Sequence, residues 1–231
     1  MTDLGQSGRA LQAQSRKPSS DGLEPVVPTF GLLQSTRALE GGLANAPIDA
    51  AHAFRAMLDA MARPGTIQQV GVAAPPTPLG AAAGALLLTL CDPDTPLWLA
   101  PSVATDDVRA WIAFHSGAPI LGRGEARFAF GAWEDMQPLS SFAIGTADYP
   151  DRSATLIVEV EALEGDARLT GPGVEAVARL AVPDGEAFRQ NAALFPLGLD
   201  FFLTCGDRLA AIPRTTRVLG ASDSAPAREA R

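Results

Sequence analysis

The sequence predicts an α/β protein in which a mixed β-sheet is flanked by helices. Three observations carry that prediction. Helical and strand-like apolar periods alternate along the chain. The segment 154–162 (ATLIVEVEA) is continuously apolar in its first half and alternates in its second, as a central strand with one end in solvent does. The last two apolar runs flank Cys205-Gly206-Asp207-Arg208, a hairpin pattern.

The elements follow in order. Asp49 is placed to cap a helix reaching about Ala62, with Phe54, Met57, Leu58 and Met61 at helical spacing; Arg63-Pro64-Gly65 stops it. Residues 66–70 form a short strand candidate. The run 79–91 (LGAAAGALLLTLC) reads as a buried helix. Asp92-Pro93-Asp94 then turns the chain into a buried strand over 96–100. Thr105 or Asp106 caps a helix through about Phe114, and 127–130 is a strand candidate. After the central strand, 168–170 is expected to pair with it as a hairpin. A helix over 184–194 precedes the closing hairpin of 199–204 and 209–212.

Residues 1–29 are polar, punctuated by Ser, Gly and Pro, and read as a disordered leader; 221–231 read as a disordered tail, and 30–220 as a single α/β domain. Both termini are neutral, so the net charge of −8 falls on the domain. The leader lacks the apolar core of a secretory signal, and the longest apolar run is too short to span a bilayer. The reading is therefore cytoplasmic, with Cys91 and Cys205 as free thiols.

Composition also excludes chemistry. Binding nucleic acid through its phosphates needs a basic face, which a net charge of −8 and a pI of about 4.7 do not favour. The basic residues are 17 Arg and one Lys, Lys17, in the leader. The domain thus offers no lysine for a pyridoxal phosphate Schiff base and no P-loop lysine. Two Cys cannot hold an iron–sulfur cluster, and His52 and His115 without a spaced partner motif do not specify a metal, so no cofactor or metal is expected. There is no G-x-S-x-G elbow. His52 reads as a solvated helix residue. His115 reads either as a helix C-terminal residue or as an acid–base group with Asp or Arg partners. Arg214-Thr215-Thr216 reads either as an anion grip or as an edge strand with a surface Arg.

A collinear series of motifs then carries a resemblance. Phe54-Arg55, Ala60-Met61-x-x-Pro64-Gly65 and Leu86-Leu87-Leu88-Thr89-Leu90 lead into Asp92-x-Asp94-Thr95-Pro96-x-Trp98-Leu99. Phe114-His115-x-x-Ala118-Pro119, Gly145-Thr146, Ala154-Thr155-Leu156 and Leu169-Thr170-Gly171-x-Gly173 follow. Phe195-Pro196-Leu197-Gly198-x-Asp200, Leu203-Thr204-Cys205-Gly206 and Ala211-Ile212-Pro213-Arg214-Thr215-Thr216 close it. The series resembles the H-subunit family of the bacterial carbon–phosphorus lyase core complex.

The resemblance implies a fold like that of pyridoxal-phosphate-dependent transferases without the cofactor. It also implies a homodimer when alone, and partnership with subunits G, I and J in phosphonate breakdown. There the I subunit joins phosphonate to ATP-derived ribose triphosphate, and the J subunit carries the cluster and breaks the C–P bond. On that reading the chain is a non-catalytic or accessory subunit. The family supplies no catalytic residue to carry over. Arg55, Arg63, Asp92, Thr95, His115, Asp200, Arg214, Thr215 and Thr216 are the polar candidates for an interface or anion contact; for Asp92 and Thr95 the other reading is a turn.

Overall fold

A computed structural model describes residues 39–220. The expected leader, 1–29, and tail, 221–231, lie outside the described residues.

Helix α1 (Ala46–Ala62) begins earlier than Asp49. Asn45 is the cap residue, and Pro47 lies in the first turn, where a missing N–H costs no helical bond. Asp49 sits inside that turn and accepts the Asn45 N–H at 2.7 Å. The helical period is as the sequence suggests, but its phase is rotated. Ala53, Met57 and Ala60 are buried, whereas Phe54 is 46% and Leu58 53% exposed. Small residues let α1 lie close against α2 (Ala81–Leu90), and the larger ones are turned outward. Gly173 backs this arrangement: at φ +80°, any Cβ would come within 1.9 Å of the Ala62 carbonyl oxygen.

Helix α3 (Asp106–His115) is capped by the Thr105 hydroxyl, which accepts from the Val108 N–H at 3.2 Å, with Asp106 and Asp107 in the first turn. Helix α4 (Gly185–Ala193) is capped by the Asp184 carboxylate, which accepts from the Glu186 and Ala187 N–H groups at 2.9 and 3.1 Å. No helix among the described residues is long and apolar enough to cross a membrane.

The main sheet contains β1 (Gln68–Gln69), β2 (Leu97–Leu99), β3 (Phe128–Ala132), β4 (Thr155–Glu159), β7 (Asp200–Cys205) and β8 (Arg208–Ile212). Its order is β1-β8-β7-β4-β3-β2. The four strands β2, β3, β4 and β7 run parallel; β7 and β8 form the expected hairpin. A second sheet, β6-β5-β9, joins β5 (Ala167–Thr170), β6 (Ala178–Leu180) and β9 (Arg217–Leu219), all antiparallel. This corrects the expected hairpin of 168–170 with the central strand. Both edges of β4 are already taken by β3 and β7, so β5 pairs elsewhere.

Each inner strand divides its side chains between two cores. Ile157 of β4 and Phe202 of β7 join α1, α2 and α3 in one core. Leu156, Val158, Phe201 and Leu203 face the other, with Phe188 of α4 and Leu169, Leu180 and Val218 of the small sheet. The result is a mixed α/β fold with the main sheet between layers.

The stretch from Ala132 to Thr155 contains three short 3₁₀ turns. Arg123 holds it. Its guanidinium lies 4.4 Å from the Trp98 ring centre and donates to the Asp135 and Gln137 carbonyls at 2.6 and 2.8 Å.

Phe201→Ala empties a fully buried site and should cost about 3–5 kcal/mol, whereas Phe195→Ala, at an exposed site, should stay within about 0.5 kcal/mol. Urea unfolding of the two variants checks this; equal losses would contradict the assigned packing.

Candidate functional site

The parallel register aligns the strand ends. Phe128, Thr155 and Asp200 stand level at one end of β3, β4 and β7; Ala132, Glu159 and Thr204 stand level at the other. Polar chemistry gathers at both ends, since the middle is apolar on both faces.

At the first end, Arg214 folds back over the start of β7. Its guanidinium forms an ion pair with the Asp200 carboxylate at 2.5 Å, with side chains only 13% and 23% exposed. The Arg214 backbone N–H also donates to Asp200 at 2.8 Å. The remaining guanidinium donors go to the Pro150 carbonyl at 2.8 Å, the Pro196 carbonyl at 3.4 Å and the Ser153 hydroxyl. One side chain thus ties the segment before β4, the segment before β7 and the end of β8. Its fork is spent inside the protein. Next to it, Thr216 is buried and its hydroxyl has no partner among the described residues.

At the second end, beyond the carboxyl ends of β3 and β4, lies an open cleft of about 540 Å³. Trp133, Glu134, Glu159, Glu161, Val182 and Pro183 line it. Open α/β sheets present ligand crevices at this end. The Thr204 hydroxyl donates to Glu159 at 2.5 Å. Glu159 lies close to the start of α2: a Cβ on Gly80 would be 3.0 Å from its Oε1. Burial pushes the Glu159 carboxyl above its ordinary value; the hydrogen bonds from Thr204 and the Gly206 backbone oppose this only in part. Such a group can hold and give up a proton at higher pH than an exposed carboxyl. Among the described residues no group of three or more His, Cys, Asp and Glu could hold a metal ion.

The other residues proposed from the sequence are dispersed. Arg55 is exposed on α1, and Arg63 at the end of α1 pairs with Asp59 at 2.8 Å. Asp92 and Thr95 hold their turn: the Asp92 carboxylate accepts from the Asp94 N–H at 3.0 Å and the Thr95 hydroxyl at 2.5 Å. His115 closes α3 beside Trp111 and Phe114, with ring centres 5.2 and 4.9 Å away. Gly42 abuts its ring so closely that a Cβ there would lie 2.5 Å from Cε1. The buried Nε2 has no hydrogen-bond partner among the described residues, and His115 is not among the residues that line the Glu159 cleft. The structure therefore brings together Asp200 and Arg214, with Thr215 and Thr216 following, and leaves Arg55, Arg63, the Asp92–Thr95 turn and His115 elsewhere. Cys91 and Cys205 are free thiols. Burial pushes the Cys91 thiol up to about 12, which makes it inert at neutral pH.

Residues 41–219 match the family described as bacterial phosphonate metabolism protein (PhnH). The chain belongs to the PhnH family. It is 44% identical over 188 residues to the alpha-D-ribose 1-methylphosphonate 5-triphosphate synthase subunit PhnH of Rhizobium meliloti (strain 1021), covering 77% of this chain and 94% of that protein. It is 29% identical over 199 residues to HtxG of Stutzerimonas stutzeri, which is named as a candidate C–P lyase subunit, covering 78% of this chain and 95% of that protein. The PhnH match spans both strand ends, so the Asp200–Arg214 tie and the Glu159 cleft both lie within the family region.

Sequence reasoning missed Ser153, Glu159 and Thr204. The available signal was Glu159 itself, the first acidic residue after the apolar half of the central strand.

Arg214→Ala strands a partly buried carboxylate and two carbonyls and should cost about 3 kcal/mol in urea unfolding. Arg214→Lys should restore little, because an ammonium cannot fill a forked site; full recovery with Lys would contradict the geometry.

For Glu159 the raised native pKa means that the native state binds the proton better than the unfolded chain. Its contribution is full below the ordinary carboxyl value of 4.5 and lost as pH rises through the raised value. Thermal melts of Glu159→Gln against the parent should therefore show the parent losing stability relative to the variant from acid towards neutral pH. A pH-independent difference would contradict this.

Proposed function

We propose that this PhnH-family chain is an accessory, non-catalytic subunit of a bacterial, cytoplasmic carbon–phosphorus lyase core complex. On this reading it supports a transferase activity that makes alpha-D-ribose 1-methylphosphonate 5-triphosphate from ATP and a phosphonate. Its partners are subunits G, I and J, and alone it pairs with a second copy of itself. The observation that carries the reading is the match, over 94% of its length, to a synthase subunit. The described span 39–220 is read as the bulk of a single domain over 30–220, and its parallel strands as a fold like that of pyridoxal-phosphate-dependent transferases, with no lysine in the domain for the cofactor.

The surface supports an assembly role. Phe54 and Leu58 on α1, Phe114 on α3, and Leu194 and Phe195 after α4 are large apolar side chains turned to solvent. An apolar groove of about 580 Å³ runs beside α4, lined among others by Leu139, Phe142, Ile144, Leu194 and Leu199. Leu194 lines this groove, and exposed apolar side chains of this kind suit a subunit contact.

Affinity purification of the chain from cells growing on a phosphonate should recover G, I and J in equal amounts. A chain that elutes alone as a monomer would contradict the proposal.

A further inference from the structure

The outer face of the small sheet carries three arginines although the domain is acidic. Arg168 and Arg179 stand directly opposite each other in the β5–β6 register, and Thr170 stands opposite Arg217 in the β5–β9 register. Because side chains alternate along a strand, Arg168 and Thr170 share one face of β5. Arg217 therefore joins that face, while Leu169 and Val218 point to the core. Arg179 is occupied by Asp166 at 3.2 Å. The Arg217 side chain is exposed and has no hydrogen bond or ion pair among the described residues. On a domain of net charge −8, a guanidinium with no partner among the described residues is a local source of positive charge.

Arg217 also borders a concavity. A cleft of about 330 Å³ is lined by Thr170, Gly171, Pro172, Ala192, Phe195, Thr215 and Arg217. Arg214 turns inward to Asp200, whereas Thr215, in the turn closed by the Thr216 N–H to Pro213 carbonyl bond at 2.8 Å, and Arg217, at the start of β9, line this cleft. The cleft thus combines a free guanidinium fork, two hydroxyls, and an apolar wall of Pro172, Ala192 and the 62%-exposed Phe195. Its volume equals that of roughly ten waters, too small for a nucleoside triphosphate and ample for a compact organic anion.

We propose that the Thr170–Thr215–Arg217 cleft binds a small oxyanion carrying a short apolar substituent. The oxyanion, carboxylate or phosphoryl, takes the Arg217 fork and the threonine hydroxyls, and the substituent lies against Phe195. The site is independent of the accessory-subunit reading: it needs only this chain.

Calorimetry of the full chain with methylphosphonate, inorganic phosphate, propionate and formate tests it and separates the two head groups. The expected result is saturable binding of at least one substituted anion, tighter than its unsubstituted counterpart, weakened about tenfold or more by Arg217→Gln and several-fold by Thr215→Val. Arg179→Gln, outside the cleft, should change it less than twofold. Melting temperatures of the variants report folding; if Arg217→Gln melts early, Thr215→Val carries the comparison. No heat at millimolar concentrations of any of the four anions would overturn the proposal. Equal losses for Arg179→Gln and Arg217→Gln would also overturn it, since they would show screening of a charged face and no site.

Discussion

The inner strands are apolar on both faces, and the rest of the molecule follows from covering them. Ile157 and Phe202 point one way, while Leu156, Val158, Phe201 and Leu203 point the other, and all are buried. A sheet of this kind cannot leave either side in water. Helices α1, α2 and α3 cover one face; α4 and the small sheet cover the other. The sheet interior then has no room for polar chemistry. It moves to the strand ends, to Asp200 and Arg214 at one and to Glu159 and Thr204 at the other.

Those polar groups are used in contrasting ways. Arg214 spends its donors on four groups of its own chain and so closes the end of the sheet on which it sits. Arg217, three residues later, is exposed and has no partner among the described residues. Large apolar side chains left exposed on α1, on α3 and in the turn after α4 complete a molecule whose contacts point outward. That arrangement suits a subunit which contributes shape and surface to an assembly within phosphonate metabolism, the process for which its family is named.

Much of the fold is legible in the sequence because the signals are local. Thr105 and Asp184 announce helix starts, the 79–91 run announces a buried helix, and the 199–212 pattern announces a hairpin; each is present with ends shifted by a residue or two. The small sheet is not legible. Its strands β6 (ARL) and β9 (RVL) are three residues each, too short for alternation to stand out, and they are brought together by long-range pairing. The rotated phase of α1 has a related cause: Ala53 and Ala60 bury well because they are small, a packing preference that a hydrophobic pattern underweights. The Asp200–Arg214 pair was within reach. With Phe201 opposite Ile212 in the hairpin, extending the register by one residue sets Asp200 beside the segment that leads to Arg214. The dispersal of Arg55, Arg63 and His115 was not, because nothing in a linear motif series says which blocks meet in space.

The central claim is that this chain supports turnover by partners and performs none alone. Its most direct test is reconstitution with purified subunits, following ATP and methylphosphonate by phosphorus NMR. The account predicts no product from this chain alone, and product from the full set that falls sharply when this chain is omitted. Conversion by the isolated chain, or undiminished conversion without it, would contradict the account.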